Sequence, residues 1–121
     1  MTDAAASPID RQILAALEAD TSRELLPELI KVFTTTADGR IARIAELKEE
    51  GNLAAIAAEA HALKSSAATF GATEVRRISA ELEVSGKAGE RNTALSLADA
   101  LMTAVDKAKG ALAAYVEEIS T

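Results

Sequence analysis

Apolar residues recur along the chain every three or four positions, the spacing that places them on one face of an α-helix. No stretch alternates apolar and polar residues in the way that a half-buried strand does. The pattern predicts an all-α fold with one short helix and four long ones. The short helix opens at 7–10, and the long ones cover about 22–50, 52–70, 73–85 and 92–118.

Residues that start and stop helices mark most of these boundaries. Pro8 suits the first position of the short helix, because its missing N–H would be unpaired there in any case. Gly39 costs only about 1 kcal/mol relative to alanine, so we expect one continuous second helix, with a break at Asp38-Gly39 as the alternative. The expected caps are Ser7, Thr21 or Ser22, Asn52 and Thr73, and the expected stops are Gly51 and Gly71.

Four long amphipathic helices with short connections predict an antiparallel up-down-up-down four-helix bundle. The additional short N-terminal helix is expected to lie over the bundle as a lid. We expect residues 1–6 to form a flexible tail and residues 7–121 to form a single helical domain.

Composition narrows the function classes. The chain has 121 residues, 49% of them hydrophobic and 26% charged, which fits one globular domain. A net charge of −6 argues against general binding to nucleic acid or to a membrane surface, because both require a basic surface. With no cysteine and one histidine, thiol chemistry and histidine metal clusters are excluded. The N-terminus lacks the features of a signal peptide, so we expect a cytoplasmic location. Met1 and the helix caps favour a stand-alone protein, with a module of a larger hybrid kinase as the alternative, and we expect a monomer.

The single histidine lies within a run of small residues, 60–72. On a helical wheel, His61 lies about 120° from the centre of the apolar stripe, at the edge of the buried face. Lys64, Ser65 and Ala68 follow it at the spacings that make neighbours on a helix surface. The resulting patch holds a nucleophile, a cation and two short side chains, which suits the binding of a phosphoryl group.

The segment His61–Ala72, HALKSSAATFGA, resembles the hallmark of the histidine-containing phosphotransfer (HPt) domain. That hallmark is a histidine followed by Leu-Lys, a run of small residues and an apolar-Gly-Ala ending. The resemblance extends from about Ile9 to Glu83. It implies a phosphorelay intermediate: His61 accepts a phosphoryl group from an aspartate of a response-regulator receiver domain and passes it to another, with a hybrid histidine kinase as a further partner. It implies no cofactor in this chain, because the receiver supplies Mg²⁺.

Phosphorylation of histidine requires a neutral ring nitrogen, open access and positive charge near the transferred oxygens. An exposed imidazole is largely neutral at pH 7, and we expect Lys64 to stabilise the phosphoryl charge. The hydroxyl of Ser65 can either bond back to the carbonyl of His61 or contact the phosphoryl group. The residues expected to admit and contact the partner are Ala57, Ser65, Ala68, Thr69 and Gly71.

Counting residues outward from Gly51 and Gly71 adds neighbours from the adjoining helices. The second helix brings either Arg40 or Arg43 to the level of His61, and the count does not choose between them. The fourth helix brings residues 81–83 to that level. The carboxylates are assigned to solvent-facing positions, and neither a paired-carboxylate pocket nor a phosphate-binding glycine loop is present.

Two functions remain open. The first is the phosphorelay intermediate, which is a substrate and donor of phosphoryl groups and not an ATP-using enzyme. A kinase dimerisation domain also carries a histidine on a helix, but the chain is too short to add an ATP-binding domain. The second is a helical adaptor that binds receiver domains or other proteins without covalent chemistry, with His61 incidental.

Overall fold

Five helices make up the part of the chain that the computed structural model describes, residues 7–120. No strand occurs within that part, as the apolar spacing predicts. The predicted tail over 1–6 lies outside the described residues. The helices are α1 (Arg11–Asp20), α2 (Leu26–Glu50), α3 (Leu53–Thr69), α4 (Thr73–Lys87) and α5 (Arg91–Ile119).

The four long helices form the predicted up-down-up-down bundle. Each packs against the next in the chain, and α5 returns to pack against α2. The most extensive contact joins α3 and α4, where small residues let the backbones approach. A Cβ atom added at Gly86 would lie 2.9 Å from the carbonyl oxygen of Leu53 and 3.0 Å from the Cβ atom of Ala57. Only glycine fits at that position without moving α3 away from α4.

Aliphatic side chains from all five helices fill the core, because the chain has few aromatic residues. Burying each such side chain stabilises the fold by roughly 1.5–3 kcal/mol. Phe33 of α2 stacks on Phe70 with ring centroids 4.9 Å apart, and this pair closes the α2/α3 contact near the end of α3. The largest fully buried apolar side chains are Leu14, Leu26, Ile44, Leu47, Ile56, Leu63, Val75, Leu82, Leu101 and Leu112.

Helix α1 begins later than predicted, and Ser7 does not cap it. The carboxylate of Asp10 accepts hydrogen bonds from the backbone N–H groups of Gln12 and Ile13, at 2.9 and 3.4 Å. The hydroxyl of Ser7 donates instead to the carbonyl of Ile9 at 2.8 Å. An ionised carboxylate is the stronger acceptor at a helix N-terminus, so the helix starts after Asp10.

Helix α1 lies over the bundle as predicted, and it contacts the α3–α4 turn and helix α5. The backbone N–H of Asp10 donates to the carbonyl of Gly71 at 2.7 Å, which ties α1 to the α3–α4 turn. At the other side, the hydroxyl of Tyr115 in α5 donates to Glu18 at 3.2 Å. The guanidinium of Arg11 lies 5.1 Å from the centre of the Tyr115 ring, a cation–π contact.

Helix α2 starts at Leu26, four residues after the predicted start, and then runs unbroken through Gly39. The hydroxyl of Ser22 accepts from the backbone N–H of Leu25 at 2.9 Å, so it caps a preceding turn. Pro27 has no backbone N–H to donate to the carbonyl of Arg23, so the helical hydrogen-bond pattern is interrupted between that turn and the long helix. Asn52 caps α3 as predicted, accepting from the backbone N–H of Ala55 at 3.1 Å.

Helix α4 begins at Thr73, so the N-cap is Ala72 and not Thr73 as expected. The helix continues to Lys87, two residues beyond the predicted end at Ser85. This extension matters for the site, because it keeps Gly86 against α3 and places Lys87 one helical turn after Glu83.

Candidate functional site

His61 lies on α3 at the edge that faces α4, with 61% of its side chain exposed. Its Nδ1 atom is 2.8 Å from Oε2 of Glu83 on α4. The helical wheel predicts the exposed edge position, and counting residues from Gly71 predicts the level of Glu83. The close α3/α4 packing brings the two side chains within hydrogen-bonding distance.

Glu83 is the most highly bonded side chain of the site, and only 9% of it is exposed. Oε1 accepts from Nζ of Lys64 at 2.7 Å, and Oε2 accepts from Nζ of Lys87 at 3.1 Å as well as facing the imidazole. The hydrogen bond from Lys64, followed by those from Lys87 and His61, lowers the pKa of Glu83 to about 2 against the opposing effect of burial. The carboxylate is therefore ionised at neutral pH.

The charge state of Glu83 settles which ring nitrogen of His61 carries the proton. An ionised carboxylate can only accept hydrogen bonds, so a neutral imidazole must donate through Nδ1–H. The lone pair then belongs to Nε2, on the opposite edge of the ring from Glu83. Nε2 makes no hydrogen bond within residues 7–120. The arrangement presents an unprotonated nitrogen toward solvent.

The site is positively charged although the whole chain is acidic. Two ammonium groups, those of Lys64 and Lys87, share the single carboxylate of Glu83, which leaves one net positive charge beside the imidazole of His61. Lys64 is 33% exposed and Lys87 is 67% exposed, so both can reach a group that approaches from solvent. Each ammonium also has donors left over after its bond to Glu83.

Short side chains surround the imidazole on the outer face of α3. Ser65, Ala68 and Thr69 are exposed, as expected for partner contacts. The hydroxyl of Ser65 is 3.5 Å from the carbonyl oxygen of His61, at the outer limit of the expected back-bond. Thr69 bonds back to the carbonyl of Ser65 at 3.4 Å in the same way. These bonds hold both hydroxyls against the helix and leave the space above His61 open.

Two of the predicted partner contacts are wrong because the residues are buried. Ala57 is 1% exposed, since it lies against Gly86 in the α3/α4 contact. Gly71 is buried beneath α1, has a positive φ of 68°, and would place a Cβ atom 2.8 Å from the carbonyl oxygen of Asp10. A partner reaches neither residue. On the exposed side, the position one turn before His61 is taken by Ala58.

Neither Arg40 nor Arg43 of α2 bonds to this cluster. Nη1 of Arg40 donates to Oε1 of Glu59 at 3.0 Å, on the flank of α3 that faces α2. Nη1 of Arg43 donates to Glu46 within α2 itself, at 3.1 Å. Both guanidinium groups are therefore occupied away from His61.

Sequence reasoning missed the role of Glu83, because it assigned the carboxylates to solvent. A signal was present in the sequence: Glu83 continues the inward-facing stripe that Ser79, Leu82 and Gly86 define on α4. A glutamate on a buried stripe needs cationic partners, and Lys87 follows it at the i+4 spacing. The second partner, Lys64, comes from α3 and requires the helix packing to be known.

The rest of the described surface, within residues 7–120, was compared with three other kinds of site: a metal centre, a membrane span and a groove. Across residues 7–120, no group of three His, Cys, Asp or Glu side chains is arranged to hold a metal ion. None of the helices in that range is long and apolar enough to cross a membrane. A groove of about 580 Å³ runs between α2 and α5, lined by residues such as Ile30 and Val116, and it includes none of the site residues.

Comparisons with known proteins agree with this fold. The sequence model of the Hpt domain matches residues 28–120. The crystal structure of histidine-containing phosphotransfer protein B (HptB) from Pseudomonas aeruginosa PAO1 superimposes on this chain with a TM-score of 0.86 at 21% identity. The match covers 92% of this chain and 96% of that one. A histidine-containing phosphotransfer protein from rice gives a TM-score of 0.75 at 21% identity, over 97% of this chain and 87% of that one. A search of curated proteins gives no significant match.

The family match covers well over half of the sequence, and the chain belongs to the Hpt domain family. It is thus a phosphorelay intermediate of two-component signalling. Members of this family interact with receiver domains and histidine kinases.

Proposed function

We propose that His61 is the residue that carries the phosphoryl group, and that it reacts through Nε2. The observation that supports this proposal is the hydrogen bond between Nδ1 of His61 and the buried, ionised carboxylate of Glu83. It leaves Nε2 as the unprotonated nitrogen, on a ring that is largely exposed. The donor is the phosphoaspartate of a receiver domain, which also brings the Mg²⁺ ion.

In the forward reaction, the Nε2 lone pair attacks the phosphorus atom of the aspartyl phosphate. The Nε2–P bond forms, the P–O bond to the aspartate breaks, and the electron pair leaves with the aspartate carboxylate. No proton has to move, because Nδ1 keeps its hydrogen throughout. Transfer to a second receiver is the same reaction in reverse, with a carboxylate oxygen as the nucleophile.

Glu83 acts as a positioning residue. Attack by Nε2 gives the ring imidazolium character, and a fixed negative charge 2.8 Å from Nδ1 stabilises that developing positive charge. The same hydrogen bond holds the ring orientation, so that Nε2 points outward before the partner arrives. Glu83 never contacts the phosphoryl group in this scheme.

Lys64 has a separate role at the phosphoryl oxygens. Its ammonium bonds Glu83 at 2.7 Å in the unphosphorylated chain and has donors to spare for an oxygen anion on Nε2. A lysine suits this task because its flexible side chain follows a group that arrives and leaves. Lys87 remains bonded to Glu83 and keeps the carboxylate neutralised when Lys64 turns toward the phosphoryl group.

Ser65, Ala68 and Thr69 form the part of the docking surface that adjoins His61, and their short side chains admit a receiver domain close enough for in-line transfer. Replacing Ser65 with tryptophan should block transfer without unfolding the chain, because the residue is exposed. We further propose that the protein acts as a monomer in the cytoplasm, where receiver domains are available to it.

The experiment that tests this function separates it from a non-covalent adaptor. A receiver domain charged with radiolabelled acetyl phosphate and Mg²⁺ is mixed with the purified chain, and the label is then treated with acid and with base. Acid-labile, base-stable label on the wild type, and none on His61→Ala, is the expected result. An unlabelled wild type, or equal labelling of His61→Ala, would identify the protein as an adaptor.

A further inference from the structure

Charge is unevenly distributed around the bundle, and the surface beside His61 is poor in carboxylates. None of the exposed residues of α3 is a carboxylate. The one acidic residue of α3, Glu59, is bonded to Arg40 on the flank that faces α2. We call the exposed surface around His61 and the adjoining stripe of α4 the α3/α4 face. The residues that define it are Ala54, Ala58, His61, Ser65, Ala68 and Thr69 of α3, with Arg76, Ala80 and Lys87 of α4.

The contacts of Glu83 orient the stripe of α4 that belongs to this face. Because Glu83 bonds to both His61 and Lys64, its edge of α4 faces the reacting edge of α3. Residues seven positions apart on a helix share an edge and are separated by roughly 10 Å along the axis. Arg76 therefore lies on the edge of Glu83, two turns nearer to the α3–α4 connection, and at the level of Ala68 on the antiparallel α3.

Arg76 and the neighbouring Arg77 differ in the hydrogen bonds and ion pairs of their side chains. The guanidinium of Arg77 donates to Glu74 at 2.8 and 3.2 Å and to Glu81 at 2.9 Å. The side chain of Arg76 is exposed and has no hydrogen bond or ion pair within residues 7–120. Lys87 and Arg76 of this face, taken with Lys64 and the carboxylate of Glu83 between its two stripes, give two net positive charges in a chain of net charge −6.

We propose that Arg76 is a docking residue for the receiver domain and pairs with carboxylates that flank the partner's phosphorylated aspartate. This inference rests on the proposed function and specifies how the same site recognises its partner. A receiver that holds Mg²⁺ beside its aspartate must present further oxygen ligands, chiefly carboxylates, around the reacting group. Such a surface is acidic and complements the α3/α4 face. A second copy of this chain is a poorer occupant, because the two copies repel each other overall.

Charge pairs at the rim of an interface act on encounter and on salt dependence more than on the chemical step. Arg76 lies too far along α4 to touch the phosphoryl group on His61. Its removal should therefore raise the receiver concentration that gives half of the maximal rate, and should leave the maximal rate of transfer unchanged. Removal of Lys64, which contacts the phosphoryl group, should instead lower the maximal rate and leave the half-saturating receiver concentration unchanged.

The test measures single-turnover transfer against receiver concentration for Arg76→Ala, Arg76→Glu, Arg76→Lys and the matched control Arg77→Ala. The partner is the purified receiver domain that labels the wild-type chain fastest within a panel charged with acetyl phosphate and Mg²⁺. We expect Arg76→Ala to lower the second-order rate constant about three- to fivefold and Arg76→Glu about tenfold. Arg76→Lys should retain most of the wild-type rate, and Arg77→Ala should lose less than about twofold. In about 1 M salt the differences should shrink, because the screening length falls to about 3 Å.

Several outcomes would overturn the docking role. Transfer to Arg76→Glu at the wild-type rate, equal losses in Arg76→Ala and Arg77→Ala, or a lowered saturated rate with unchanged half-saturation would each contradict it. A change in self-association measured by sedimentation would assign the residue to a second copy of the chain. Should Arg76→Glu unfold by circular dichroism, the alanine and lysine variants decide. A wild type that accepts no label would instead remove the proposed function and this inference with it.

Discussion

Helix α3 has ion-pair partners on both flanks, and the two carboxylates involved differ in burial and in bonding. On the α2 side, Glu59 accepts one hydrogen bond from Arg40 at 3.0 Å and remains 23% exposed. On the α4 side, Glu83 is 9% exposed and bonds Lys64, Lys87 and the imidazole of His61. Both pairs join neighbouring helices, but only the second also holds the imidazole of His61, the proposed phosphoryl acceptor.

Burial and the number of donors explain the difference between the two flanks. A partly exposed pair such as Arg40 and Glu59 is worth little to stability and can rearrange in water. Glu83 has lost most of its water, so it depends on three protein donors and holds each of them in a fixed geometry. We infer that the α2 flank only joins α3 to its neighbour, whereas the α4 flank also orients His61 for reaction. The following variants test this difference.

The largest effect is expected from removing the acceptor on the reactive flank. Glu83→Ala should lower the rate of phosphotransfer to His61 roughly 10- to 100-fold, the usual cost of losing a group that orients a reacting imidazole. The rate for Glu83→Gln should fall between those of the wild type and Glu83→Ala, because its amide oxygen still accepts from Nδ1 but carries no charge. The matched change on the other flank, Glu59→Gln, should alter the rate less than about twofold. Equal rates for Glu83→Ala and Glu59→Gln in single-turnover assays would remove the distinction between the flanks.

A smaller loss is expected at the cation. Lys64→Ala should slow transfer about 3- to 10-fold, since one charge-assisted contact to the phosphoryl oxygens disappears. The phosphorylated form should also lose its label faster on standing. Arg40→Ala serves as the control, because that cation is bonded to Glu59 on the opposite flank. A wild-type rate and wild-type label lifetime in Lys64→Ala would show that Lys87 or the partner supplies the charge alone.

The α3/α4 spacing can be tested through its glycine. Gly86→Ala should reduce the free energy of unfolding by about 1–3 kcal/mol, because the added methyl group meets the backbone of Leu53 and the side chain of Ala57. The same exchange at Gly110, where the new Cβ would meet nothing within 4 Å beyond the local helix backbone, should increase stability by up to about 1 kcal/mol. Urea denaturation of both variants makes the comparison. A stabilised Gly86→Ala would mean that the two helices do not approach as closely as described.

The smallest expected effect is a loss of folding stability at acid pH. The lowered pKa of Glu83, about 2 against an ordinary 4.5, means that its ionised form stabilises the folded chain. That contribution should be fully present above about pH 5 and should decline as the pH falls toward 2. The difference in unfolding free energy between wild type and Glu83→Gln is the quantity to measure across this range. A difference that stays constant from pH 5 to pH 2 would contradict the bonding described for Glu83.

The pattern of apolar residues was sufficient to predict the five helices, the bundle and the exposed edge position of His61, because each follows from spacing along one helix. The caps were predicted less well: Asp10 displaced Ser7 because an ionised carboxylate competes better for free N–H groups. Ala57 and Gly71 were misassigned for a related reason. A small residue on a helix edge suits both an open surface and a close helix contact, and only the rotation of α3 against its neighbours decides between them.

The site itself required the packing of two helices to be known. Lys64 and His61 are neighbours on α3, so their proximity is visible in the sequence. Their common partner Glu83 comes from α4, at a separation that Gly86 sets. The direction in which Nδ1 points, and with it the identity of the reactive nitrogen, could not be read from residue spacing alone.

The presence of a single histidine allows the central claim to be measured directly. Proton–nitrogen NMR of the chain labelled with ¹⁵N-histidine reports the tautomer of His61, and the same spectrum after phosphorylation by a charged receiver reports which nitrogen bears phosphorus. The account predicts Nδ1–H in the free protein and coupling of ³¹P to Nε2 in the phosphorylated one, with the tautomer preference weakened in Glu83→Ala. A proton on Nε2 in the free protein, or phosphorus on Nδ1, would contradict it.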